Sequence, residues 1–153
     1  MNCISVVCSK FNKKLVEELY HSAEKEFKDH SEFCSSHYPQ CELKQTWVPG
    51  AGEIPLAIKW LIEQPDKKIN SSNLIGVLAL GVIIKGQTGH YDFLTGFLQK
   101  ALCDLQKTYS LPILFSVLLL ENREQAQARI VRAKEAMNSL IEMIKLKENS
   151  SKK

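Results

Sequence analysis

The stretch best suited to chemistry is Gly81-Val82-Ile83-Ile84-Lys85-Gly86-Gln87-Thr88-Gly89-His90-Tyr91-Asp92-Phe93. An apolar run from Leu74 to Ile84 stops abruptly at Lys-Gly-Gln-Thr-Gly-His, and a helical pattern follows. Glycines let the backbone turn tightly, and the free N–H groups at a helix start suit a phosphate or another anion. A histidine in the same turn, titrating near neutral pH, sets a proton carrier beside that anion. The combination points to chemistry on a small phosphorylated molecule.

The turn needs a scaffold, and the rest of the chain supplies one. Ile4 to Ser9 is a short apolar run with strand character. Asn12 is placed to cap a helix whose Leu15, Leu19, Ala23 and Phe27 recur at helical spacing. His30 to Gln40 reads as a polar loop and Leu43 to Val48 as a second strand. Pro49-Gly50-Ala51-Gly52-Glu53 breaks that strand, and Pro55 opens a helix containing Leu56, Ile58, Trp60, Leu61 and Ile62. After a surface loop from Gln64 to Asn73, Leu74 to Ile84 is too continuously apolar for a half-exposed strand and suits a central parallel one. Tyr91 to Ser110 has the helical spacing Phe93, Phe97, Leu98, Ala101, Leu105, and Pro112 to Leu120 is a fourth strand. Asn122 with Gln125 resembles a capping box ahead of a long helix carrying Ile130, Met137, Leu140, Ile141 and Ile144.

Strands alternating with helices imply an α/β fold: a parallel sheet covered by helices on both faces, in a three-layer αβα sandwich. Residues 1–148 are expected to form one domain, with 149–153 a disordered tail. Ligands of such sheets bind beyond the strand C-termini, where strand order reverses. Phe11-Asn12 follows the first strand, Gly50 to Glu53 the second, and Gly86 to His90 the third. An aromatic face, a carboxylate, an anion turn and a histidine should therefore converge on one edge.

Composition narrows the function classes. A 44% hydrophobic and 24% charged chain of 153 residues is that of an ordinary globular protein. The net charge of +3 owes much to Lys145, Lys147, Lys152 and Lys153, so no basic face suggests nucleic acid as a partner. No run approaches the roughly 18 apolar residues of a membrane span. Met1 to Cys8 lacks the basic region and small-residue cleavage site of a signal peptide. The five cysteines are odd in number and form no CxxC pair, which suits free thiols in a reducing compartment. A cytoplasmic location is expected. His30, Cys34, His37 and Cys41 have no recognisable ligand spacing and are read as a loop rather than a metal site, and Cys3, Cys8 and Cys103 as small apolar fillers.

Several blocks resemble a known family: Ser9-Lys10-Phe11-Asn12, Trp47 to Pro55, Ala79 through Phe93, and Glu121-Asn122-Arg123-Glu124-Gln125-Ala126 with Arg129. In order and over nearly the whole chain, they are similar to 6,7-dimethyl-8-ribityllumazine synthase, an enzyme of riboflavin biosynthesis. The resemblance implies a flavodoxin-like four-stranded parallel sheet and a condensation that uses no metal or organic cofactor. The substrates would be 5-amino-6-(D-ribitylamino)uracil and 3,4-dihydroxy-2-butanone 4-phosphate, with loss of phosphate and water. By the same resemblance Phe11 stacks on the pyrimidine, Ala51, Gly52 and Glu53 hold the ribityl chain, and Val82, Ile83 and Ile84 present backbone to the pyrimidine edge. Gln87 and Thr88 would receive the phosphate, His90 would move protons, and Phe115 and Arg129 would complete the pocket.

Phe115 falls early in the fourth strand, and Arg129 lies roughly 10 Å along the helix from Asn122 at about 1.5 Å per residue. Neither fits its own subunit's strand-end crevice, so a neighbouring copy should supply both. The resemblance implies the same: a homo-oligomer with a pentamer as its minimal unit, a decamer or 60-mer as larger forms, and a riboflavin synthase as a candidate partner. The chain departs from the family pattern at Gly52, where a large apolar or aromatic side chain is usual, at Lys85 for a common arginine, and at Leu119-Leu120 for a pair of threonines. After Arg129 the usual glycine-rich kink and its lysine are missing, leaving Arg132 or Lys134 as substitutes and one continuous helix as the expectation. That loss, with the absent N-terminal extension, puts the sixty-subunit shell in doubt. The competing reading is a non-catalytic lumazine or flavin carrier on the same scaffold. A flavodoxin lacks support because Cys8 to Asn12 is no hydroxyl-rich phosphate loop, and a receiver domain lacks its acidic pair. A riboflavin synthase of the same fold fits the Gly-x-Thr-x-His turn less well.

Overall fold

The computed structural model describes residues 2–30, 32–33, 36, 38–64, 73–86 and 91–152. Strands β1 (Asn2–Ser9), β2 (Glu42–Val48), β3 (Asn73–Ile84) and β4 (Ile113–Leu120) form one sheet in the order β2-β1-β3-β4. All three pairings are parallel. Between and after them come helices α1 (Lys13–Asp29), α2 (Ile54–Glu63), α3 (Tyr91–Tyr109), the short α4 (Ala126–Arg129) and α5 (Val131–Ser150). Single 3-10 turns at Ala51–Glu53 and Arg123–Gln125 precede α2 and α4.

The layers follow from the two-residue side-chain period of the strands. Ile4, Val6 and Cys8 of β1 and Leu78, Leu80, Val82 and Ile84 of β3 face α1 and α5, joining Leu19, Phe27, Met137 and Leu140 in one core. Val7, Val77, Ala79 and Ile83 face the other way, towards Ile54 and Ile58 of α2 and Leu98 and Leu102 of α3. β1 and β3 are buried on both faces, which explains their near-continuous apolar sequence. The chain leaves β1 towards β2 on one side and returns across it to β3 on the other, with α1 and α2 on opposite faces. Strand order therefore reverses between β1 and β3, at the point where ligands of such sheets bind.

Several elements differ from the sequence reading. Asn12 sits at the start of α1 but in left-handed conformation (φ 57°, ψ 44°), and its side chain makes no capping bond. A capping side chain needs extended backbone, so here only the Asn12 carbonyl begins the helix, accepting from Leu15 and Val16. Within the segment read as a polar loop, Phe33 is buried, its ring centroid 5.1 Å from that of Tyr38. The inward stripe of α3 runs through Leu98 and Leu102, while Phe93 and Phe97 point outwards and are exposed. Cys103 is likewise exposed, not a core filler; Cys3 and Cys8 are buried.

At the C-terminal end, Asn122 Oδ1 accepts from the Gln125 amide at 3.3 Å, and Gln125 Oε1 accepts from the Glu121 amide at 2.8 Å. That is close to a reciprocal capping box. The expected single helix is divided: Ile130 keeps helical dihedrals (φ −57°, ψ −34°), but the Ala133 amide bonds the Ile130 carbonyl, a 3-10 step between α4 and α5. α5 then continues through Ser150, past the start of the expected tail.

Candidate active site

β3 outruns β1. Their pairing ends with Cys8 opposite Leu80, whereas the pairing with β4 continues to Ile84 opposite Leu120. On the β4 side the ladder is prolonged by Lys85, whose amide bonds the Leu120 carbonyl at 2.8 Å. On the β1 side, the tip of β3 from Val82 to Ile84 is an open edge. A cavity of about 220 Å³ lies against it.

Three other segments close that cavity. The turn after β1 contributes Phe11 and Asn12, and the 3-10 turn after β2 contributes Gly50, Ala51, Gly52 and Glu53. Leu94 of α3 forms part of the wall. Phe11 is 62% exposed although it is a large aromatic, so its ring is available to a flat ligand. Gly50 lies close beneath these groups: a Cβ there would lie 3.0 Å from Glu53 Oε2 and 3.4 Å from Phe11 Cδ2. Gly86, leaving β3, has φ 84°, a left-handed conformation that favours glycine. Gly52 leaves room on its side, since an added Cβ would make only an ordinary 3.4 Å contact with Leu94.

Of the residues predicted for the site, Phe11, Ala51, Gly52, Glu53, Val82, Ile83 and Ile84 line this one cavity. Gln87, Thr88 and His90 lie outside the described residues. Phe115 and Arg129 are elsewhere. Phe115 pairs with Ala79, about 16 Å below the strand tip at roughly 3.3 Å per residue. Together with Arg129 it lines a second groove, of about 430 Å³, between the outer edge of β4 and the helix α5. Arg129 Nη1 donates to the Leu119 carbonyl at 2.8 Å, which fixes the guanidinium over that edge. Arg132 lines the same groove, whereas Lys134 turns towards α1, its Nζ 3.7 Å from Glu26 Oε2.

Sequence reasoning brought the turns holding Asn12 and Gly50 to this edge without assigning either residue a role, and missed Leu94. Asn12 Nδ2 donates to the Val82 carbonyl at 3.1 Å across the open edge. Leu94 had no distinctive signal, being one leucine in an amphipathic helix. The loop read as no metal site is described only in part: His30 Nε2 lies 3.2 Å from Glu26 Oε1 and 3.0 Å from Asn138 Oδ1, while Cys34 and His37 fall outside the described residues. Among the described residues no cluster of three His, Cys, Asp or Glu could hold a metal ion.

The fold and the cavity define a class: a parallel α/β sheet protein with a small-molecule crevice at its strand-order reversal, walled by an aromatic ring, a carboxylate and open backbone. The family model for 6,7-dimethyl-8-ribityllumazine synthase matches residues 2–148. Proteins of that name are similar over most of their length. That of Helicobacter acinonychis is 34% identical over 94% of this chain and 86% of its own. Those of Campylobacter hominis and Leuconostoc mesenteroides are each 32% identical over 95% of this chain and 88% of theirs. The chain belongs to the 6,7-dimethyl-8-ribityllumazine synthase family.

Proposed function

We propose that the chain is a transferase that forms 6,7-dimethyl-8-ribityllumazine from 5-amino-6-(D-ribitylamino)uracil and 3,4-dihydroxy-2-butanone 4-phosphate. The observation that carries this reading is the meeting of Phe11, Ala51-Gly52-Glu53 and the open β3 tip in one cavity. The pyrimidine lies on the Phe11 ring with its polar edge against the backbone of Val82 to Ile84. Its ribityl hydroxyls follow the 3-10 turn, where Glu53 accepts their hydrogen bonds. Gln87 and Thr88 receive the phosphate and His90 carries protons.

The chemistry is chiefly one of capture. The 5-amino nitrogen attacks the ketone carbon, and the carbinolamine loses water to give an imine. Elimination then breaks the C–O bond to phosphate, which leaves as inorganic phosphate. The ribityl-bearing nitrogen closes the second ring with loss of a further water. Holding two reactants in line supplies a large share of the rate enhancement of such a bimolecular step. The proton transfers need a group of near-neutral pKa, and the departing anion needs fixed donors.

Phe115 and Arg129 belong to this reading only if a second copy brings its β4 groove against the cavity. Support comes from the surface: Leu56, Trp60, Phe93 and Phe97 on α2 and α3, and Phe115 on β4, are large apolar side chains left exposed. Covering each would contribute roughly 1.5–3 kcal/mol, which favours an oligomer. A homopentamer is the proposed unit, with decamer or 60-mer as larger forms, and a riboflavin synthase as partner. In that assembly Arg132, sharing the groove with Arg129, takes the place of the family's lysine. A cytoplasmic location goes with this reading; no helix among the described residues is long and apolar enough to cross a membrane.

Mixing both substrates with the protein and following lumazine absorbance, after subtracting the uncatalysed reaction, tests the proposal. Rapid product formation is expected, slowed in His90→Ala. Background rates in both proteins, with lumazine still bound tightly, would establish the non-catalytic carrier instead.

A further inference from the structure

We infer that Arg123 is a positioning residue for the substrate cavity, acting through the amide of Asn12. The inference rests on the lumazine synthase reading and names a group that this reading does not use. Arg123 lies outside the cavity, on the 3-10 turn that follows β4. Its Nη2 donates to Asn12 Oδ1 at 3.1 Å, and Asn12 Nδ2 donates to the Val82 carbonyl at 3.1 Å. A chain of two hydrogen bonds thus links the β4–α4 turn, the β1–α1 turn and the tip of β3.

The chemistry of the two partners specifies one amide orientation. A guanidinium only donates and a backbone carbonyl only accepts, so the first must meet the oxygen of the amide and the second its nitrogen. With the amide reversed, both contacts set like against like. Asn12 also holds left-handed backbone, and the residue before it is Phe11, the exposed ring of the cavity. Fixing Asn12 therefore fixes the height of the ring and the open edge of β3 together. Those two surfaces take the pyrimidine in the proposed function. Arg129 bonds the Leu119 carbonyl instead, and the two surfaces that Asn12 joins face the pyrimidine, so the effect should fall on one substrate.

Steady-state kinetics with each substrate varied in turn reads this out. Arg123→Met should raise KM for the ribitylaminouracil on the order of three- to tenfold, the worth of a charge-assisted bond at an exposed site. KM for the butanone phosphate and kcat should stay within about twofold, with Arg123→Lys recovering part of the loss. Asn12→Ala should raise the same KM at least as far, and the double variant no further, because the two residues act as one unit. Multiplied effects in the double variant, or a rise confined to the phosphorylated substrate, would overturn the inference. Should wild type form no lumazine, the functional reading fails by itself. Titration of lumazine binding by its own fluorescence would then still show whether Arg123→Met and Asn12→Ala weaken the cavity non-additively.

Discussion

The cavity at the β1–β3 tip is walled by backbone, small residues and one exposed ring, whereas the groove along β4 carries two arginines, Glu135 and Ser139 on a helix face beside Phe115. In the proposed function the first takes a flat ring by stacking and by strand-edge hydrogen bonds. The second offers cations and an aromatic surface along the outer edge of β4. The two are lined by different residues, and Phe115 lies well below the strand tip. In the proposed function this division has the sheet edge select the heterocycle, while the phosphorylated substrate requires contact between copies.

The largest effect that would sharpen this contrast is at the histidine. His90→Ala should lower kcat by about 10²- to 10⁴-fold, the usual range for a lost general acid–base group, with little change in lumazine affinity. Unchanged kcat would remove proton transfer from this residue. On the groove side, Arg129→Ala should leave lumazine binding intact and raise KM for the butanone phosphate roughly ten- to hundredfold, as expected for a lost charge-assisted contact. Equal losses for both substrates would erase the distinction between the two regions.

Smaller effects test the supports beneath them. The cavity rests on β1, where burial pushes the Cys8 thiol from 9.0 up to about 11, against a weaker opposing hydrogen bond from Gln45. A raised folded-state value means that the folded protein holds this proton more tightly than the unfolded chain. The resulting stability is complete below pH 9 and is lost as pH rises towards 11. It amounts to about 2–3 kcal/mol. Denaturant titrations between pH 8 and 11 should show the decline in wild type and a shallower one in Cys8→Ala. Gly52→Ala is expected to change least. Its Cβ meets only Leu94 at contact distance, so stability should rise by about 0.4–1 kcal/mol, with KM for the ribitylaminouracil nearly unchanged. A large loss of binding would mean that the ribityl chain needs the space Gly52 leaves.

The sequence disclosed the cavity side more fully than the groove side, for physical reasons. β3 was legible because burial on both faces writes itself as an unbroken apolar run, and the loops after parallel strands must meet at one edge. Phe11 and Glu53 could therefore be placed from strand order alone. The role of Asn12 could not: its left-handed backbone and its bond to Val82 join positions that only the folded sheet brings together. The outward turn of Phe93 and Phe97, and of Cys103, depends on the rotation of α3 about its axis, which a mixed apolar helix leaves undetermined. The 3-10 step at Ile130 occurs with no glycine or proline to announce it. The different surroundings of Arg132, in the β4 groove, and Lys134, beside α1, likewise depend on the rotation of α5.

The most direct test of a cavity completed by a neighbour's groove is complementation between two impaired chains, assayed with butanone phosphate well below the raised KM. His90→Ala and Arg129→Ala, co-expressed in equal amounts, should assemble with about a quarter of their interfaces pairing an intact cavity with an intact groove, as random mixing at a head-to-tail interface requires. Lumazine formation well above the sum of the two separate variants is the expected result. Activity no greater than that sum, in oligomers shown by mass to contain both chains, would contradict the shared site and return all the catalytic groups to a single subunit.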